Sequence, residues 1–477
     1  MIYIKLLIYF LSILIPGYFI LIFWKKEMPF LLRLALGYGL GNFIIAVQLF
    51  LFYFILQIHA SALSLYPVFL AEDILLFYFA YKNGCFICNF KLPKNLNAGE
   101  IVLILLLVIQ LALLFFNAIS RPTITFDSLA MWSFKAKTLY YEKGINFNPD
   151  SAVYLGGGGH INYPWLVPLS QLWMHETLGE YNDLLTNFIF FFYFVFIIIL
   201  LYYFIRKYAS RFIGLLFAFM FSTLPLIFYH AYNGYADLPL SYYSLIAFIL
   251  LFFGINPHTL TAGHSQQAPT PKSLVWGQGV GVKDKEKKDL ILSAIFFGIA
   301  LWVKAEGLFF IFSALLIFGY YLFISKFIES RLKLFLNFLL SFLIFILPLL
   351  YFNFRYNLGL SNIDSGAGFH LEVFKSLFES LFMSSNWNIW WMVVVVIFAL
   401  NIKVIIKNRE LLFGWLFLFI VLGEFLAVYL FTNDYQYAVN HTAISRNIIT
   451  LLPISIFLLV VTYFSNSNLK ENQITNE

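Results

Sequence analysis

The chain has 477 residues, of which 61% are hydrophobic and 11% charged, where an ordinary soluble domain carries about 25% charged residues. No water-soluble globule hides that much apolar surface, so the composition excludes a soluble fold and makes the lipid bilayer the first partner. The net charge of +6 does not point to nucleic acid, because the basic residues sit in short loops between apolar runs, where they serve as topology signals.

Apolar windows of roughly 17 to 25 residues predict about thirteen spans. In chain order they cover 4–23, 30–56, 61–81, 101–119, 184–205, 212–228, 238–254, 290–303, 308–325, 334–353, 389–406, 411–431 and 448–464. The expected fold class is an all-α polytopic membrane protein, with interfacial helices in its first large external loop. The first run is read as a retained anchor, since no small-residue cleavage site follows it and Lys25 and Lys26 lie beyond it. The span from Leu290 is short enough to form a tilted or broken hairpin with the next. The 59 Phe and 30 Tyr carry little individual weight, because packing and lipid contact account for most aromatics in such a chain.

The distribution of Lys and Arg sets the expected orientation. Placing the loops after the first, third, fifth, seventh, ninth and eleventh spans inside, with the tail, puts about 20 of the basic residues in the cytoplasm and roughly 8 outside. Residues 255–289, rich in Gly, Pro and Ser and ending in a KDKEKKD run, then read as a cytoplasmic linker, and 465–477 as a polar cytoplasmic tail. Cys85 and Cys88 also fall inside, where thiols stay reduced, and no second Cys or His pair stands near them to make a zinc site. Residues 1–100 form an N-terminal group of helices that reads as an appended module, followed by a core over 101–464.

The external side is built differently. Its longest loop, about 120–183, places Leu129, Trp132, Phe134 and Leu139 among Lys135, Lys137 and Glu142, the pattern of a helix lying in the membrane interface. A second interfacial helix is expected over 165–178, started by Pro164, with Gly156–Gly159 as a flexible tether between the two. Three further polar clusters reach the same face: YHAYNGYADLP from Tyr229, WVKAEG from Trp302, and TNDYQYAVNHTAISRN from Thr432. Asp127, Asp237, Lys304, Glu306, His441 and Arg446 therefore stand at the ends of different helices on one side. A charge at the membrane edge costs less than the roughly 2.5–3.5 kcal/mol of one at mid-membrane, so it is their convergence on one face that carries meaning.

Such a set suits glycosyl transfer from a phosphate-activated lipid. An acceptor hydroxyl needs a carboxylate as general base, and cationic groups must neutralise the departing phosphate. An interfacial platform would let a polyprenyl tail remain in the bilayer while its head group stands at the surface.

The aspartate just beyond a span and before an interfacial helix, in Thr125-Phe126-Asp127-Ser128-Leu129 running into Trp132 and Lys135, resembles the first external loop of GT-C class glycosyltransferases. Tyr163-Pro164, Gly234-Tyr235-Ala236-Asp237-Leu238-Pro239 and Lys304-Ala305-Glu306-Gly307 are similar to recurrent features of the bacterial members. These are the protein mannosyltransferase-like, aminoarabinose transferase-like and rhizobial lipopolysaccharide transferase-like groups. The resemblance spans about 101–464. It implies transfer of a monosaccharide from a polyprenyl-phosphate sugar donor to a lipid, glycan or protein acceptor, with inversion, on the non-cytoplasmic face. Asp127 matches the family's first-loop aspartate, the candidate base, and Asp237 its second acidic motif. Lys304 with Glu306, and Arg446 with His441, are candidates for gripping donor phosphate at positions where the family varies, while Lys135, His160 and Tyr163 complete the expected substrate-binding set. The single acid of the first-loop motif departs from the Asp-Glu pair of the protein mannosyltransferases, which disfavours protein O-mannosylation.

No metal is expected to be obligatory. Asp237 and Glu306 offer oxygen ligands for a possible divalent cation, but no DxD pair stands in an external loop, and His160 and His441 are isolated histidines. The competing readings are a transporter or flippase, which would want internal repeats and midplane charges, an O-antigen polymerase or ligase, whose largest external loop would come late in the chain, and a non-catalytic scaffold. Glu72, Asp73 and Glu424 do lie within spans, but the hydropathy pattern does not repeat.

Overall fold

The computed structural model describes residues 2–25, 28–58, 62–83, 95–158, 160–255, 282–323, 328–359 and 368–474. Cys85, Cys88, Gly159 and the linker residues 256–281 lie outside the described residues.

Twelve of the thirteen predicted spans coincide with one helix each, and the sixth, 212–228, is divided at Thr223 and Leu224 into two. The first group is α1 (Ile2–Trp24), α2 (Phe30–Phe50, extended by a π-helical turn to Ile55), α3 (Ala62–Lys82) and α4 (Ala98–Ser120). The external loop holds a π-helical turn Ser128–Trp132, α5 (Ser133–Glu142) and α6 (Leu166–Leu178). There follow α7 (Phe188–Ile205), α8 (Arg211–Ser222), α9 (Pro225–His230), α10 (Asp237–Ile255), α11 (Val282–Val303), α12 (Gly307–Phe323) and α13 (Ile328–Arg355). The chain closes with α14 (Glu372–Phe378), α15 (Trp390–Lys407), α16 (Arg409–Phe431), α17 (Tyr435–Val439) and α18 (Ile444–Ile474). Among the described residues ten helices are long and apolar enough to cross a membrane, with α8 and α12 as shorter apolar helices, so the chain is a multi-pass integral membrane protein.

Helix α10 is the axis, with every residue buried. It packs against α7, α11 and α18, and Ser293 of α11 donates to the Ala247 carbonyl at 2.7 Å. Helix α2, within the N-terminal group of helices, packs directly on α10. Tyr242 donates to the Ala35 carbonyl, the Gly39 N–H donates back to the Tyr242 hydroxyl at 3.1 Å, and Tyr243 donates to the Gly39 carbonyl at 2.9 Å. A hydroxyl buried in an apolar bundle is costly unless satisfied, so these bonds tie α2 into the core.

The helix ends fall on two faces. On one, Asn97 caps α4 in a reciprocal capping box with Glu100, Glu100 pairs with Arg211 at 2.6 Å, and Lys25 pairs with Asp289 at 2.6 Å. The other face carries the loop between α4 and α7, the turn between α11 and α12, and the start of α18.

Two expectations for the loop are corrected. Helix α6 forms where expected but presents no free apolar face; twelve of its thirteen residues are buried, because it packs on α1, α2 and α5. Its cap is Trp165 rather than Pro164. The described part of the glycine run, Gly156 to Gly158, is likewise no tether. Gly156, Gly157 and Gly158 all have positive φ, and a Cβ on Gly156 would press on the Trp165 ring at 3.1 Å while one on Gly158 would meet the Ala130 carbonyl oxygen at 2.7 Å. The segment is a packed left-handed turn that side chains would block.

Candidate active site

The charged residues of the site face meet in one chain of alternating sign. Asp127 Oδ2 lies 2.6 Å from Arg446 Nη1, Arg446 Nε lies 3.1 Å from Asp237 Oδ2, Asp237 Oδ1 lies 2.9 Å from Lys304 Nζ, and Lys304 Nζ lies 2.6 Å from Glu306 Oε1. Four separate stretches of sequence supply these five groups.

Local structure explains how they converge. Asp237 opens α10, whose first-turn amides favour an anion. Lys304 occupies the tight turn between α11 and α12, closed by the Gly307 N–H on the Lys304 carbonyl at 2.9 Å, and a Cβ at Gly307 would strike the backbone of Leu301 at 2.7 Å. Arg446 lies in the first turn of α18. The Asp127 segment is fastened to the turn before Asp237, where Thr125 Oγ1 donates to the Asn233 carbonyl at 2.7 Å, and to the start of α7, where Thr123 Oγ1 donates to Asn187 Oδ1 at 3.2 Å. Gly234, at φ +73°, lets that turn approach so closely that a Cβ would run into the Ser128 hydroxyl.

Burial divides the five groups. The Asp237 side chain is fully buried and that of Lys304 is 8% exposed, whereas Asp127, Arg446 and Glu306 are 21%, 19% and 26% exposed. Burial alone would depress the Lys304 ammonium, but the carboxylates of Asp237 and Glu306 outweigh it and hold the group well above the ordinary lysine range. The centre of the chain is thus fixed and charged, while its two ends present carboxylates to the outside.

Residues that reading the sequence did not single out frame this chain. His230 is buried, with Nδ1 3.8 Å from Asp237 Oδ2 and without a hydrogen-bond partner for that nitrogen among the described residues. Burial, reinforced by Arg446 and Lys304 against the opposing Asp237 carboxylate, pushes its imidazole down to about 3, so it is neutral at physiological pH. It stacks on Tyr235 at 4.5 Å, and the Arg446 guanidinium sits 4.5 Å from the centre of the same ring. The available signal was a histidine seven residues before Asp237, across a Gly-Tyr turn. Tyr429, whose hydroxyl accepts from Asn447 Nδ2 at 2.7 Å, completes the surround from α16.

Tyr163 stands beside the same charges. Its ring stacks with Trp132 at 5.1 Å and with His160 at 4.8 Å, and burial, with Lys304 opposing, pushes its hydroxyl up to about 12. It is therefore a proton donor at neutral pH. Burial lowers the His160 imidazole, with Asp127 opposing.

Two predicted substrate-binding residues are engaged elsewhere. Lys135 is wholly buried, and its ammonium donates to the Ile161 and Tyr163 carbonyls, both at 2.8 Å, over the Trp165 ring at 4.4 Å. It fixes the 160–165 turn, and so the Tyr163 ring, instead of facing ligand. The π-helical turn Ser128–Trp132 changes the phase of the helix that follows, so a 3.6-residue period misplaces Lys135 on the polar face. Leu129, at 49% exposed, and Phe126, at 75%, turn outward. His441 joins a different contact, Nε2 lying 3.3 Å from Glu379 and Nδ1 3.1 Å from the Ser380 hydroxyl. It links the start of α18 to the α14 region.

Burial pushes the Lys135 amine down to about 7 from 10.5, so between these values the unfolded chain binds a proton that the folded protein does not. Stability from this group therefore rises with pH across that window and is flat below it. Thermal midpoints of wild type and Lys135→Met in nanodiscs, measured from pH 6 to pH 10, are expected to differ by an amount that grows in favour of wild type above about 7; a constant difference would contradict this.

No three of His, Cys, Asp and Glu gather in a metal-holding arrangement among the described residues. No family model and no curated protein matches the chain. Among solved structures it is similar to ArnT from Cupriavidus metallidurans bound to undecaprenyl phosphate, with a TM-score of 0.48 and 12% identity over 77% of this chain and 60% of that one. The chain thus spans about 60% of the length of the solved structure it matches.

Proposed function

We propose that the protein transfers a monosaccharide from a polyprenyl-phosphate donor to an acceptor hydroxyl, on the face that bears the Asp127 to Glu306 chain. The observation that carries this reading is the accessible Asp127 carboxylate 2.6 Å from the accessible Arg446 guanidinium, a base for the acceptor beside a cation for the leaving phosphate. The motif resemblance to GT-C glycosyltransferases supports it. The scarcity of Lys and Arg in the loops of this face supports its being non-cytoplasmic.

The roles follow from burial and spare hydrogen-bonding capacity. Arg446 spends Nε on Asp237 and Nη1 on Asp127, which leaves Nη2 for a phosphate oxygen. Asp127 takes the acceptor proton as the acceptor oxygen attacks the anomeric carbon. The bond from that carbon to the phosphate oxygen breaks with its electron pair on the phosphate, which inverts the anomeric centre. Asp237 is too enclosed to meet an acceptor; with Lys304 behind it, it holds Arg446 in place. Glu306, at the open end, accepts hydroxyl donors of the transferred sugar. The neutral Tyr163 hydroxyl offers a further donor.

Purified protein in nanodiscs, incubated with a panel of polyprenyl-phosphate sugars and membrane extract, is expected to consume at least one donor, and Asp127→Asn to lower that turnover by about 10²–10⁴-fold. Equal turnover by both would remove Asp127 from the mechanism. Because Arg446 and Lys304 supply the positive charge, we propose that no divalent cation is required. Turnover is expected to survive chelation, and a loss restored by added magnesium or manganese would refute this.

A further inference from the structure

Next to the Asp127 and Arg446 pair, the segment from α9 to α10 places three tyrosines in a row. Tyr235, against Arg446, lies 6.2 Å from Tyr229 with the rings tilted by 41°, and Tyr229 lies 5.9 Å from Tyr232, nearly edge-on at 72°. His230 and Arg446 cover the Tyr235 ring, so the open ring of the row is that of Tyr229, which is 38% exposed. Arg121 lies over the Tyr232 ring at 5.4 Å and ends the row. No described residue hydrogen-bonds to the hydroxyl of Tyr229, Tyr232 or Tyr235, and burial, with the neighbouring Tyr232, raises the Tyr229 hydroxyl above its ordinary range. The row is rigid, because the Asn233 side chain donates to the Tyr229 carbonyl at 2.8 Å and Thr125 holds the Asn233 carbonyl.

We infer that this row is the acceptor subsite and that the acceptor is a saccharide. The inference rests on the transferase reading above. A pyranose has a face of C–H groups, which packs on an aromatic ring, and a rim of hydroxyls, which pairs with phenols. Tyr229 offers the ring face and the row its phenols, beginning at Tyr235 against Arg446, the partner of the candidate base. An acyl chain would leave three hydroxyls unpaired at its surface, and an extended peptide would seek backbone partners that the row lacks. An acceptor sugar stacked on Tyr229 brings its hydroxyl toward Asp127, while Arg446 and Glu306 face the donor. Free and lipid-anchored saccharides share this recognition. The exposed Ile124 and Phe126, at 66% and 75%, lie on the segment beside the row and favour the lipid-anchored form.

The test is saturation-transfer NMR on the full-length protein in nanodiscs with maltotriose, chitotriose and trigalacturonic acid, an octyl glucoside at submicellar concentration, and a serine- and threonine-containing hexapeptide. At least one saccharide is expected to receive saturation at its ring protons. Tyr229→Ala combined with Tyr232→Ala should weaken that binding about tenfold, Tyr229→Phe combined with Tyr232→Phe should retain most of it, and the thermal midpoint should be unmoved in both. A stronger signal for the octyl glycoside than for the free sugars assigns a lipid-anchored acceptor, and the reverse a free one; either supports the subsite. Saturation of no saccharide, saturation indifferent to the alanine pair, or tyrosine-dependent binding of the peptide alone would overturn it. Tyrosine-dependent sugar binding in a protein that turns over no polyprenyl-phosphate sugar would sink the transferase reading and leave the subsite. Turnover without such binding would do the opposite.

Discussion

Arg446→Met is expected to lose turnover by about 10²–10³-fold, the usual effect of removing a preorganised charge from a transition state, and to destabilise the protein by less than the roughly 3–5 kcal/mol of a wholly unpaired buried charge, since Asp237 keeps Lys304 at 2.9 Å. Both effects have one origin. Among the described residues, Arg446 alone pairs with both Asp127 and Asp237, and Asp237 has no exposed surface through which water could replace it. Arg446→Lys keeps the charge but not the planar fork that spans two carboxylates, so it should recover more of the stability than of the turnover. Unfolding midpoints in nanodiscs and initial rates at saturating donor separate the two. Equal recovery of both by lysine would mean that the fork has no part in the reaction.

The second large effect concerns the pair behind it. Asp237→Asn leaves the Lys304 ammonium, 8% exposed, with Glu306 alone, and Lys304→Met leaves Asp237 with Arg446 alone. Each is expected to destabilise the protein, but by less than the roughly 3–5 kcal/mol of a wholly unpaired buried charge, because one ion-pair partner remains. Together they should cost less than their sum by about 0.5–3 kcal/mol, as directly interacting groups do. Chemical unfolding of the four proteins in one detergent gives this cycle, and strict additivity would show that the 2.9 Å contact carries no coupling. His230 is already neutral, with its imidazole near 3, so none of these variants should acquire or lose a pH step attributable to it between pH 5 and 8.

The membrane spans were legible because hydropathy over some twenty residues is nearly decisive in lipid. What that average misses is where a helix continues through charge: α11 begins at Val282, eight residues before its apolar part. At the site, the positions of Asp127, Asp237, Lys304, Glu306 and Arg446 just beyond apolar windows placed them on one face, and a polar group at a helix end has little else to meet there. Sidedness does not determine a pocket, however. His441 shares the face of Arg446, five residues away, yet turns to Glu379.

Other features were hidden for specific physical reasons. The direction of Lys135 depended on a π-helical turn, which no periodicity count anticipates. The glycine run looked loose because composition reports only what the backbone permits, whereas Phe134, Ala130 and Trp165 pack against it. His230 was overlooked because a neutral buried histidine in an aromatic segment has no outward chemical mark, and only its 3.8 Å approach to Asp237 distinguishes it.

The reaction is ascribed to Asp127 and Arg446 operating as a single device. Rates of donor consumption by wild type, Asp127→Asn, Arg446→Met and the double variant, taken with one polyprenyl-phosphate sugar at saturation, measure this. Within about threefold, the double variant should be no slower than the slower single one, as for groups that act together. Losses that multiply would show two independent contributions and contradict the account.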